Sequence, residues 1–151
     1  MAAVTSVTPK GLIQVLLVED DDGDAYLTEY ALRRGPVAFD LHRVETGEEA
    51  VDFLRQRGDY ADAPRPHLVL LDLNLPGIGG RDVLEEVKKD PDLRRIPIVV
   101  LTSSRQENDI LRSLNLYANT YMVKPGDPRI FETMASVIQS YWFEHAVLSS
   151  I

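Results

Sequence analysis

Residues 68–76 read Leu68-Val69-Leu70-Leu71-Asp72-Leu73-Asn74-Leu75-Pro76. Four apolar residues in succession leave no polar face, so the run suits a strand buried on both sides of a parallel sheet. It ends on an acid. An uncompensated carboxylate at such a position is costly, so Asp72 marks a place where the fold meets chemistry.

Working outward, residues 13–18 form a second apolar run, broken only by Gln14 and ending in Glu19-Asp20. Residues 39–44, with Phe39, Leu41 and Arg43 on one face, and residues 97–101 and 121–123 read as three further strands. Helical patterns separate them. Residues 22–34 carry acids in the first turn and stop at Gly35-Pro36. Thr46 and Glu49 stand in capping-box spacing before Ala50, Phe53 and Leu54. Residues 80–89 bury Val83, Leu84 and Val87. Ser104 and Glu107 open a fourth helix with Ile110, Leu111 and Leu114 inside, and Asp127-Pro128 starts a fifth. The predicted fold class is therefore α/β, a flavodoxin-like (βα)5 doubly wound parallel sheet of order 2-1-3-4-5. Residues 1–11 read as a flexible lead-in, 12–143 as the domain, and 144–151 as a short tail with no output domain.

A length of 151 residues suits one domain. Sixteen basic against twenty-four acidic residues give a net charge of −8, which disfavours nucleic acid as a partner. The chain has no cysteine, hence no disulfide or thiolate metal site. It shows no signal-peptide core and no apolar run of membrane-spanning length, so a cytoplasmic protein is expected. His42, His67 and His145 are scattered and read as strand or surface residues.

In an open α/β sheet, ligands gather beyond the carboxyl ends of the strands. Those ends deliver Glu19 and Asp20, then Asp72, then Thr102, then Lys124. Three carboxylates in one crevice repel one another unless a cation sits among them, and Mg²⁺ suits such oxygen ligands. Asp72 is the candidate nucleophile, forming an acyl phosphate, while Lys124 and Thr102 hold the remaining phosphoryl oxygens. Asp22 and Asp24 read as acids that favour a helix N-terminus, and Asp21 is given no role.

Leu16-Leu17-Val18-Glu19-Asp20, Leu70 to Pro76, Gly79-Gly80, Val100-Leu101-Thr102-Ser103 and Tyr121-Met122-Val123-Lys124-Pro125 together resemble the five signature segments of response-regulator receivers, in the right order. The resemblance spans residues 13–143. It implies that Asp72 is the phosphoacceptor and that Asp20 and Asp72 ligate Mg²⁺. It further implies that Glu19 assists through a water and that the Asn74 carbonyl completes the ligands. Thr102 and Tyr121 match the family's switch pair, and Lys124-Pro125 matches a peptide bond that is cis in the family. The long stretch before Asp72, Arg55 to Pro66, and the ending Tyr141-Trp142-Phe143 are similar to single-domain regulators paired with phytochrome-type histidine kinases. A histidine kinase of that type is the implied partner.

Two rivals stand beside this reading. Phosphatases and mutases that use an aspartyl phosphate carry a second Asp two residues after the nucleophile, where this chain has Asn74, which cannot donate a carboxylic proton. A degenerate receiver acting only as a binding module sits poorly with the complete set of Glu19, Asp20, Asp72, Thr102 and Lys124. The chain is thus expected not to be an enzyme beyond its own phosphorylation and dephosphorylation. A homodimer is also expected. In the last helix, Ile130, Met134, Val137 and Tyr141 make a stripe suited to the sheet. Phe131, Ile138, Trp142 and His145 make a second stripe, and the two together are wider than one core contact requires, so part is expected to meet a partner across the face of the fourth helix, fifth strand and last helix.

Overall fold

The computed structural model describes residues 7–8, 11–73, 75, 77–102, 120–124 and 131–145. The strands are β1 (Val7–Thr8), β2 (Gly11–Val18), β3 (Phe39–Val44), β4 (Leu68–Asp72), β5 (Ile98–Thr102) and β6 (Thr120–Val123). Helices α1 (Asp22–Arg33), α2 (Gly47–Arg55) and α3 (Gly80–Lys89) lie between them, and a C-terminal helix runs over Phe131–Val137. Strands β2 to β6 are parallel and lie in the order β3-β2-β4-β5-β6. Counted without β1, that is the expected 2-1-3-4-5. Three residues of the expected lead-in join the sheet: Val7 and Thr8 pair antiparallel with Leu12 and Gly11, and Gly11 itself begins β2. The expected fourth helix, the Asp127-Pro128 start and residues 146–151 lie outside the described residues. Among the described residues no helix is long and apolar enough to cross a membrane.

Alternation along the strands sorts side chains onto two faces. Val15, Leu17, Leu68, Leu70, Val99 and Leu101 pack toward α1 and the C-terminal helix. Leu16, Val18, Val69, Leu71 and Val100 pack toward α2 and α3. All of β4 is buried, which answers the unbroken apolar run. Thr46 caps α2, accepting from the Glu49 amide at 3.1 Å, while Glu49 accepts from the Glu45 amide at 3.1 Å. Tyr60, in the long loop before β4, donates its hydroxyl to Glu49 at 3.0 Å and tilts its ring against Phe53. That loop is therefore tied to the capped end of α2.

The C-terminal helix corrects the expected stripes. Val137 and Tyr141 are 48% and 57% exposed, whereas Phe131, Ile138, Trp142 and Phe143 are buried in the chain's own core. From Ile138 to His145 the helix takes π geometry. A hydrogen-bond period of i→i+5 changes the phase of the buried face and brings Ile138 into line with Phe143. Trp142 thus folds onto its own domain and does not supply the free face assumed for a dimer. Gln139, 3% exposed, is the polar residue of this helix that packing needs. Its side chain donates to the Leu32 and Val37 carbonyls at 2.9 Å and accepts from the Val37 amide at 3.1 Å. These bonds satisfy the end of α1 and fix the loop that leads into β3.

Candidate functional site

Because β2 to β6 run parallel, all their carboxyl ends open on one edge. The register sets Val18 opposite Leu71, Asp72 opposite Leu101, and Thr102 opposite Val123. Glu19, Asp72 and Lys124 are thereby delivered within one step of each other. One carboxylate oxygen from each of Glu19, Asp20 and Asp72 lies within 4.8 Å of the others. Glu19 and Asp72 are buried, at 1% and 4% exposure, while Asp20 faces solvent. The three donors are hard oxygens at an edge open on the Asp20 side, which suits a divalent cation that keeps waters.

Lys124 is the counter-charge. Its Nζ donates to Glu19 Oε1 at 2.6 Å and to Asp24 Oδ2 at 2.9 Å, and stands 3.4 Å from Asp72 Oδ2. Burial alone would lower its pKa, but the bonds to Glu19 and Asp24 and the charge of Asp72 raise it, so the ammonium stays charged. The carboxyl of Glu19 moves the other way. Burial pushes it from the usual 4.5 up to about 7; the Lys124 hydrogen bond opposes this and nearby Asp72 reinforces it.

The other acids of this edge are distributed differently from expectation. Asp21, given no role, is the N-cap of α1 and accepts from the Asp24 amide at 2.8 Å. Asp22 pairs with Arg43 Nη1 at 2.9 Å, and Arg43 Nε also donates to the Glu19 carbonyl at 2.9 Å. Asp24, read only as a helix-terminus acid, reaches Lys124. The available signal was directional: side chains in a helix tilt toward its N-terminus, and α1 begins at the crevice. On the far side, the first turn of α2 holds the segment after Asp72. Glu48 accepts from the Ile78 amide at 3.3 Å, and a side chain at Gly47 would strike the Ile78 carbonyl. Asn74, Pro125 and the side chains of Thr102 and Tyr121 lie outside the described residues; the backbone of Thr102 ends β5 and that of Tyr121 lies in β6. His42 and His67 are structural, both bonding to Gln14.

Residues 15–136 match the family model of the response regulator receiver domain. The chain belongs to that family. It is similar to the response regulator Rcp1 of Synechocystis sp., with 42% identity over 134 residues covering 89% of this chain and 91% of Rcp1. The Mn²⁺-bound form of Rcp1 superposes with a TM-score of 0.85 at 41% identity, over 91% of this chain and 99% of that one. The phosphorylated cyanobacterial phytochrome response regulator RcpA gives 0.85 at 43% identity, over 91% and 99%. The bacteriophytochrome response regulator AtBRR gives 0.76 at 40% identity, over 92% and 99%. The receiver is therefore a phosphoacceptor module of two-component signalling.

The elevated Glu19 pKa fixes the sign of a pH effect in the metal-free receiver. Between about pH 4.5 and 7 the folded state keeps a proton that the unfolded chain has released. The contribution of Glu19 to stability is therefore greatest below that window and declines as pH rises through it. Urea unfolding at pH 5 and pH 8 in the presence of a chelator measures this. The wild type is expected to lose more stability over the interval than Glu19→Gln, and equal losses would contradict the assignment.

Proposed function

We propose that Asp72 is the phosphoacceptor of this receiver, that Mg²⁺ is its metal, and that a phytochrome-type histidine kinase is its donor. The observation that carries the reading is a buried Asp72 at the end of β4 with the Lys124 ammonium 3.4 Å from its carboxylate. Two further carboxylates stand within 4.8 Å. In this reading Asp20, Asp72 and the Asn74 carbonyl bind the ion directly, and Glu19 acts through a water. When bound, the ion withdraws negative charge from Asp72 and from the incoming phosphoryl oxygens.

An Asp72 carboxylate oxygen attacks the phosphorus of a phosphohistidine. The new O–P bond forms as the N–P bond breaks, and the electron pair returns to the imidazole nitrogen. Lys124 and the Thr102 hydroxyl hold the phosphoryl oxygens, contributing charge stabilisation and orientation rather than covalent chemistry. Water attack on the same phosphorus breaks the Asp72 O–P bond, releasing inorganic phosphate and regenerating the carboxylate, so the receiver catalyses only its own phosphorylation and dephosphorylation. Thr102 drawn to the phosphoryl group and Tyr121 turning behind it make the switch. Output passes through protein contacts in the cytoplasm; no nucleic-acid partner is assigned to a chain of net charge −8.

Likeness to the phytochrome response regulator RcpA and the bacteriophytochrome response regulator AtBRR supports the phytochrome pairing. A homodimer through the face of the fourth helix, β6 and the C-terminal helix belongs to the same reading. Its support is now the exposed Val137 and Tyr141, not Trp142.

Incubated with a small acyl phosphodonor and Mg²⁺, the wild type is expected to gain one phosphoryl group by intact mass. Asp72→Asn is expected to gain none, with an unchanged or higher melting temperature because carboxylate repulsion is relieved. Uptake by the variant at the wild-type rate would overturn the assignment. Offered a panel of phosphorylated histidine kinases, the receiver is expected to drain a phytochrome-type kinase first; equal rates from all would contradict that pairing. Sedimentation is expected to show self-association that Tyr141→Ala weakens, and a wild type monomeric at high micromolar concentration would rule out the dimer.

A further inference from the structure

Lys124 Nζ has three donors and faces three acids: Glu19 at 2.6 Å, Asp24 at 2.9 Å and Asp72 at 3.4 Å. Glu19 and Asp72 belong to the carboxylate group that could hold a cation; Asp24 does not. An ammonium and a divalent ion compete for the same carboxylates and repel each other. Entry of the ion therefore requires Nζ to loosen its hold on Glu19 and Asp72. The Lys124 side chain is only 9% exposed, so release into bulk water is not open to it. Among the described residues Asp24 is the remaining acceptor. Its side chain is 36% exposed, on the solvent side of the ammonium. Its backbone is fixed in the first turn of α1 by the bond from its amide to Asp21.

We infer that Asp24 is a positioning residue that draws the Lys124 ammonium away from Glu19 and Asp72, and so tightens divalent-ion binding without contacting the ion. The inference deepens the reading of the crevice as a metal site and rests on it. Without the Asp24 charge, Lys124 leans wholly on Glu19 and Asp72, and the entering ion has to displace a stronger competitor. The effect passes through Lys124, which separates it from a general loss of negative charge near the site. A field effect would act whether or not residue 124 were charged.

A double-mutant cycle on the full chain, read by titration calorimetry with MgCl₂, tests this. Asp24→Asn is expected to weaken binding about fivefold. Lys124→Ala is expected to bind more tightly than wild type, since the competitor is gone. In the Lys124→Ala background, Asp24→Asn is expected to change the affinity little. Lys124→Gln serves as a second background that leaves Glu19 a neutral hydrogen-bond partner. Melting temperatures report helix destabilisation separately from affinity. An Asp24→Asn affinity equal to wild type would overturn the inference, and so would equal losses with and without Lys124. A wild type that binds no divalent ion would overturn the metal-site reading itself, and the inference with it.

Discussion

Lys124 carries one positive charge into a crevice walled by Glu19, Asp24 and Asp72, with Asp20 at its mouth. Unit charges 4 Å apart interact by about 1 kcal/mol in water but about 4 kcal/mol at the effective dielectric of a protein site. One ammonium cannot neutralise so many carboxylates, and the remaining negative charge has few outlets. A proton on Glu19 is one: burial, reinforced by nearby Asp72 and opposed by the Lys124 hydrogen bond, pushes that carboxyl to about 7. A divalent ion is another. Both bring the edge closer to the neutrality that an anionic phosphoryl donor requires. The site is thus set to change its charge state, and any change is felt by every group that Lys124 touches.

The sheet keeps these groups close despite their repulsion. Strands β2 and β4 are packed on both faces, so their ends cannot drift apart without opening two cores at once. Arg43 pins the Glu19 carbonyl, Asp21 caps α1, and the first turn of α2 grips the segment after Asp72. The carboxylates are therefore presented by rigid strand ends and braced turns. Stability built by the two apolar faces is what allows like charges to be held together at the functional edge.

Much of this was legible in the sequence, for identifiable reasons. The strands read clearly because residues buried on both faces leave no alternation to misjudge, as in Leu68 to Leu71. The Thr46–Glu49 cap and the Val83, Leu84 and Val87 stripe follow fixed spacings, and the strand ends of a parallel sheet fall on one edge by topology alone. What escaped depends on three-dimensional partners. Four neighbouring acids, Asp20, Asp21, Asp22 and Asp24, look alike in sequence. Their separate tasks come from where α1 begins and from what Arg43 and Lys124 reach. In the last helix the α spacing groups Phe131, Ile138 and Trp142 correctly but does not say which of two stripes meets the sheet, and π geometry from Ile138 onward adds Phe143 to the buried face. The burial of Gln139 has no signal in the sequence; it follows from the backbone groups of Leu32 and Val37 that its side chain bonds.

The most direct measurement is the chemical identity of the modified residue. After brief exposure to a phosphodonor and Mg²⁺, the receiver is treated with borohydride, which reduces an aspartyl phosphate to homoserine. Peptide mass spectrometry then locates the product. Homoserine at position 72 alone is the expected result. Reduction at another aspartate, or none despite phosphoryl uptake, would contradict a crevice organised around Asp72.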